Sequence, residues 1–201
     1  VPGPHGDVPV RVYRPAGGGS ARGLVWAHGG TFIMGDLDMP EADVVARELV
    51  ARGGITVVSV DYRLCRGGIH FPVPHDDLHA AFLWAATDSG LLPAGAPWAI
   101  GGGSAGGNLA GGAAQRLRDE GAPLDAVVLA YPVAHDPVPR TSDEHQALMA
   151  RLPEVLRFTE EGTAARNENY LGDNPSDVPY AFPGLGEVAG LPRSLVIVCE
   201  Y

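Results

Sequence analysis

Five short apolar runs recur along the chain, Leu24 to Ala27, Ile55 to Val60, Trp98 to Ile100, Ala126 to Tyr131 and Ser194 to Cys199, and none alternates apolar with polar residues. A strand with one face in water alternates, so these runs read as strands buried on both faces, the mark of a parallel sheet. Helical patterns separate them. Ala42, Val45, Ala46, Leu49 and Val50 share one helix face, with Asp38 as a cap, Pro40 in the first turn and Gly53 as the stop. Leu78, Ala81, Phe82 and Ala85 form a second such face, and Ala110, Ala113, Ala114 and Leu117 a third that ends at Gly121. Strand and helix in alternation imply right-handed crossovers, which predicts an α/β fold with a mostly parallel central sheet and helices on both faces. Val8 to Tyr13 does alternate, and reads as an edge strand of a mixed sheet.

The rhythm breaks over residues 132–193, which hold eight of the 18 prolines. We read this stretch as a lid-like insertion before the last strand, with a helix from about Asp143 to Phe158, within one domain spanning 1–201. The 201 residues are enough for a single core. All 14 cations are Arg, against 24 acidic residues, for a formal charge of −10. That balance offers no basic track for nucleic acid. The lack of Lys also excludes Schiff-base chemistry, a P-loop lysine and Ser-Lys catalysis. Cys65 and Cys199 have no metal or redox spacing and read as small buried residues. No apolar run approaches the roughly 20 residues of a membrane span, and a cytoplasmic location is the expectation.

The sharpest motif is Trp98-Ala-Ile-Gly-Gly-Gly-Ser-Ala-Gly-Gly-Asn108, which sets Gly102-x-Ser104-x-Gly106 between a strand and a helix. A nucleophile elbow needs this arrangement: a turn so tight that the flanking positions are bare, a serine in a strained conformation, and a helix N-terminus behind it. The backbone N–H of Ala105 would then face the developing oxyanion. The same letters contain Gly101-x-Gly103-x-x-Gly106, a dinucleotide fingerprint, for which Asp125 has the spacing of a ribose-binding acid but precedes its strand. A plain glycine-rich turn is the third reading. His28-Gly29-Gly30-Thr31-Phe32 follows the first central strand directly, so its bare backbone would converge with Ser104 on one crevice. His28 itself reads as a loop-packing residue.

Taken in order, Arg11-Val-Tyr-Arg-Pro15, His28-Gly-Gly, Gly35-Asp-Leu-Asp38, Asp61-Tyr-Arg-Leu64, Phe71-Pro72 with Asp77, Gly102-Gly-Ser-Ala-Gly-Gly107 and Leu195-Val-Ile-Val-Cys-Glu200 resemble the hormone-sensitive-lipase-like family of α/β-hydrolases. That family includes bacterial acetyl esterases and arylacetamide deacetylases. The resemblance implies the α/β-hydrolase fold, Ser104 as the acyl-accepting nucleophile, and N–H groups of Gly29, Gly30, Thr31 and Ala105 as the oxyanion hole. It implies no cofactor and no metal. Thr31 stands where the family has a third glycine, and its β-branch would narrow the pocket. The family's catalytic acid follows the strand matching Leu195 to Glu200, with the histidine later still. By the same resemblance the chain corresponds to the middle two thirds of such an enzyme, without cap helices or last strand.

The expected function is hydrolysis of a short or medium acyl ester, or of an acetylated small molecule, with little turnover from a chain whose acid and base are not recognisable. The alternatives are a receptor-like binding module of the same fold and, behind it, a dinucleotide oxidoreductase. A homodimer is possible for a longer chain. Among internal substitutes for the missing base, His135 lies just past a strand end and otherwise reads as a lid residue. His75 and His79, at i and i+4 beside Asp76 and Asp77, have metal spacing but read as capping and solvating a helix start. Asp61 and Arg63 read as a buried structural pair, and Glu200 as a residue that orients a neighbour.

Overall fold

A computed structural model describes residues 1–153 and 157–199. The strands are β1 (Val10–Tyr13), β2 (Gly23–Ala27), β3 (Thr56–Val60), β4 (Trp98–Gly103), β5 (Ala126–Ala130) and β6 (Arg193–Ile197). They are joined by helices α1 (Pro40–Gly53), α2 (Val73–Leu83), α3 (Ala105–Asp119), α4 (Asp143–Met149) and α5 (Glu160–Leu171). The sheet order is β1-β3-β2-β4-β5-β6, with β1 antiparallel to β3 and every other pair parallel. The expected α/β architecture and the mixed edge are therefore present.

Successive residues of a strand point to opposite faces, and β2 shows what each face packs against. Leu24 and Trp26 join Val57, Ala46, Leu49 and Val50 under α1. Val25 and Ala27 join Val58, Val60, Leu78, Phe82, Leu109 and Ala113 under α2 and α3. From β2 the chain crosses to β3 on one side, and from β4 to β5 on the other. The C-terminal ends of β2 and β4 lie side by side, Ala27 opposite Gly102, at the point where the winding reverses. Open α/β sheets leave a crevice there.

Several expectations are corrected. α1 is preceded by Met39 in extended conformation, not capped by Asp38; the Asp36 carboxylate instead accepts from the N–H groups of Asp38 and Met39 at 2.9 and 3.0 Å. Its stop is Gly54 at φ 62°, one residue past Gly53. The helix expected from Asp143 to Phe158 ends at Met149, capped by Ser142, and part of that range lies outside the described residues. A helix that apolar spacing did not announce, α5, follows Thr159, whose hydroxyl accepts from the Gly162 N–H at 3.1 Å. β6 is exposed along its length, because it pairs with β5 on one edge and no described element covers its other side. Cys199 just beyond it is exposed, whereas Cys65 is buried as expected.

Arg63 does not pair with Asp61. Arg63 instead gives both its backbone N–H, at 2.9 Å, and its guanidinium to the buried Asp77. His75 and His79 are not solvated: His75, Leu78, His79 and Phe82 form the buried stripe of α2. His79 Nε2 lies 2.7 Å from Glu120, and the His75 ring stacks on Tyr180 with both nitrogens buried and unpartnered. Glu200 lies outside the described residues, among which no helix is long and apolar enough to cross a membrane.

Asp76 ties the N-terminal segment to α3, with His5 Nε2 and the Arg116 guanidinium each 2.7 Å from its carboxylate. Burial would raise its pKa, but the pull of His5, Arg116 and the nearby His75 outweighs burial and holds the carboxyl well below its ordinary 3.8. A depressed carboxyl stabilises the fold above its unfolded pKa, and that contribution is lost as pH falls through the folded value. Asp76→Asn is accordingly expected to cost about 2 kcal/mol near neutrality. It should cost progressively less below about pH 4. Urea denaturation across pH checks this, and equal losses at pH 3 and pH 7 would contradict it.

Candidate active site

Ser104 follows the last residue of β4 and precedes the first of α3, with φ 52° and ψ −116°. Such a conformation is strained for any residue with a Cβ and persists only where the surroundings over-determine it. Here they do: the Ser104 N–H donates to Ala130 O at 2.9 Å, and its carbonyl accepts from Asn108 at 3.0 Å and Val133 at 3.3 Å. Bare flanks are required as well. A Cβ on Gly102 would run into the Gly106 carbonyl, and one on Gly106 into the carbonyl oxygens of Ala27 and His28. The elbow inferred from Gly102-x-Ser104-x-Gly106 is therefore the local geometry. Gly101 and Gly103 lie within β4, and the Asp125 carboxylate accepts from the Trp98 N–H at 2.9 Å. The letters that suggested a dinucleotide turn serve a strand, and their candidate acid is engaged in the sheet.

Ser104 is half-buried and lines a cavity of about 850 Å³ with Tyr131, Val133, His135, His145, Met149 and Phe158, so the 132–193 stretch supplies most of the wall. Across the crevice, Gly29 comes so close that a Cβ there would lie 3.2 Å from the Ser104 Cβ. Gly30, Thr31 and Phe32 take φ of 115°, 53° and 63° in succession. Clamps hold this loop: Tyr62 O–H donates to His28 O at 2.8 Å, and the Cys65 N–H to Phe32 O at 2.8 Å. Among the described residues no acceptor engages the N–H of Gly30, Thr31 or Ala105. The Gly29 N–H, by contrast, is taken by Glu41 Oε2 at 2.5 Å. Of the four donors named from the sequence, three are thus open and one is committed.

His28 is fully buried, stacked on Tyr62 at 4.5 Å, with Nδ1 2.6 Å from its neighbour Gly29 O. It packs the loop. His135 and His145 sit on the cavity wall, and among the described residues no hydrogen bond joins either ring to Ser104. His70 and His5 are engaged with Asn169 O and Asp76, at 2.6 and 2.7 Å. Burial pushes the Cys65 thiol up to about 12, so it is no rival nucleophile at neutral pH. Among the described residues, no group of three or more potential ligands could hold a metal.

Three residues beyond the sequence reading belong to the site. Asn108, fully buried, donates to Val133 O and Ala181 O at 2.7 and 2.9 Å, fastening the cavity wall to the elbow helix. Glu41 looked like an ordinary acidic first-turn residue. Tyr131 looked like the end of a strand; its O–H donates to Glu41 Oε1 at 2.7 Å. Burial, and then the carboxylate it donates to, push the Tyr131 pKa up to about 12, so it remains a donor throughout the neutral range.

Thr31 carries a β-branched side chain at φ 53°. Thr31→Gly should remove about 1–2 kcal/mol of local strain. Against this stands the entropy glycine adds to the unfolded chain. The net expectation is unchanged stability or a gain of up to about 1 kcal/mol. A loss larger than that in urea denaturation would mean that the Thr31 side chain itself holds the loop.

A serine on a strained strand-to-helix elbow, at the switch point of a parallel sheet and facing a loop of open amides, defines the α/β-hydrolase class. The chain belongs to the alpha/beta hydrolase fold family, whose profile matches residues 24–201. It is 37% identical to "Esterase LipI" of Mycobacterium tuberculosis, an alignment covering 100% of this chain and 62% of LipI. It superposes on the hyperthermophilic esterase from Pyrobaculum calidifontis with a TM-score of 0.86 and 34% identity, over 100% of this chain and 63% of that one. Brefeldin A esterase, described as a bacterial homologue of human hormone-sensitive lipase, superposes with a TM-score of 0.79 and 27% identity, over 98% of this chain and 58% of that one. The chain therefore spans about three fifths of each of these relatives.

Proposed function

We propose that the protein is a carboxylic-ester hydrolase in which Ser104 is the nucleophile. The observation that carries this reading is the half-buried Ser104 at φ 52°, opening onto the cavity beside a loop with open amides. Its Oγ attacks the acyl carbonyl, the N–H groups of Gly30, Thr31 and Ala105 receive the negative charge on the former carbonyl oxygen, and the alcohol departs. Water then attacks the acyl-enzyme, releases the acid and restores the hydroxyl. The 15-residue helix α3 adds the positive end of its dipole to the amide of Ala105. Val133, Val138, Met149, Leu152 and Phe158 line the cavity, which suits a short or medium acyl ester or an acetylated small molecule. The names of these three relatives, each an esterase, support the same class.

The hydroxyl proton needs a base, and no described histidine is bonded to Ser104. Residues 1–201 alone are therefore expected to give only about 10³-fold acceleration over water, from orientation and the oxyanion hole. The test is a fluorophosphonate probe on the full-length protein, read by mass spectrometry of the peptide holding Ser104, together with hydrolysis of acetyl and butyryl aryl esters. Labelling with turnover is the expected result. A full-length protein that binds an ester analogue but neither labels nor turns over would be a receptor of the same fold.

A further inference from the structure

One carboxylate stands between the oxyanion loop, the elbow and the end of β5, and it comes from none of them. Glu41, in the first turn of α1, accepts from the Gly29 N–H at 2.5 Å with Oε2 and from the Tyr131 O–H at 2.7 Å with Oε1. Its own backbone is fixed by Trp26 Nε1, which donates to the Glu41 carbonyl at 2.9 Å. The surroundings are shaped to admit it. A Cβ on Gly29 would collide with Oε2, and a Cβ on Gly103, the residue before Ser104, would collide with Oε1. Two glycines of two separate motifs are thus bare toward the same side chain.

We propose that Glu41 is a positioning residue of the reaction, a clamp that sets the register of the oxyanion loop over Ser104. This rests on the ester-hydrolase reading above. The physical need is plain from the backbone. Thr31 and Phe32 both lie in the left-handed region, which L side chains adopt only when held. The clamps at His28 O and Phe32 O fix carbonyl groups, whereas Glu41 fixes an N–H, and so decides which amides face the serine. With the Gly29 N–H turned to the carboxylate, those of Gly30 and Thr31 are the ones left for the developing charge. Tyr131 holds the other oxygen, which stops the carboxylate from rotating away. Because Tyr131 also hands its N–H to Ile197 O at 2.6 Å, the clamp reaches from α1 to the edge of the sheet.

The experiment compares Glu41→Ala, Glu41→Gln and Tyr131→Phe in the full-length protein by two independent readouts. The first is kcat and KM for an aryl acetate. The second is amide hydrogen exchange of the 28–32 segment, which needs no turnover. Glu41→Ala should lower kcat by about 10²-fold. KM should stay within about threefold, because the amides serve the transition state more than the bound ester. Exchange of the segment should rise about tenfold or more while Tm moves by no more than about 4 °C. Glu41→Gln keeps an acceptor for the Gly29 N–H, and should restore both loop protection and most of kcat. Tyr131→Phe should fall between the two.

Unchanged loop exchange in Glu41→Ala would overturn the proposal, and so would a Glu41→Gln variant as impaired as alanine in both readouts. If the wild-type protein hydrolyses no ester at all, the ester reading is what fails, and exchange alone then decides whether the clamp exists.

Discussion

Ser104→Ala is expected to abolish fluorophosphonate labelling and to reduce ester turnover by the full-length protein by about 10⁴-fold or more. The fold should be left intact. Among the described residues the Ser104 hydroxyl makes no hydrogen bond, so its removal leaves no buried partner unsatisfied. Alanine inherits the same strained φ of 52°, and stability should remain within about 1 kcal/mol of the wild type. Glycine at this position gives a sharper contrast. It accepts positive φ without a Cβ clash, so Ser104→Gly should be as inactive as alanine yet at least as stable as the native protein, by up to about 1–3 kcal/mol. A residue kept for packing would lose stability on truncation, whereas one kept for chemistry loses only rate. Turnover persisting within tenfold in Ser104→Ala would remove the serine mechanism altogether.

Gly106→Ala is expected to have a large effect on the fold. The added carbon would strike two backbone carbonyls, those of Ala27 and His28, and backbone cannot swing aside as a side chain end can. Ala27 is paired on both sides, with Val60 and with Gly102, so relief means pulling α3 off the sheet or breaking the ladder at the active-site end of β2. The expected cost is at least about 3 kcal/mol. For a chain of this size that lowers Tm by about 6–12 °C. Gly17→Ala is the matched control: nothing lies within 4 Å of a Cβ there, and the change should stay within about 0.5 kcal/mol. Thermal melts of the two variants decide it, and equal Tm values would mean that α3 does not approach β2 as closely as described. Activity should fall with stability in Gly106→Ala, since the oxyanion loop begins at the displaced His28.

How far the site could be read in advance depended on whether its chemistry was local in the chain. The elbow was legible because one short segment contains its whole requirement: bare positions on either side of a serine, between an apolar run and a helix. His28-Gly29-Gly30 was legible for the same reason. The committed state of the Gly29 N–H was not, because Glu41 lies in a helix whose first turn would favour an acid in any case. Arg63 shows the same limit. Sequence proximity suggested Asp61, but the partner Arg63 takes is Asp77, which only the packing of α2 brings within reach. His75 and His79 misled because polar residues near a helix start usually face water; here they lie on the stripe that α2 turns to the core. α5 escaped notice because its buried residues are Asn167, Tyr170 and Leu171, too few and too polar to mark a face.

Local order in this protein, including strands, crossover helices, the strained serine and the glycines around it, follows from the amino-acid sequence alone, because backbone sterics and apolar periodicity act over a few residues. The winding of the sheet, which sets the ends of β2 and β4 side by side, and the partners chosen by Arg63, Glu41 and Tyr131 were decided only by tertiary structure. Those contacts join residues 12 to 90 positions apart. A charged or hydroxyl group selects whichever partner the packed core leaves nearest, and that distance is not written in any one segment.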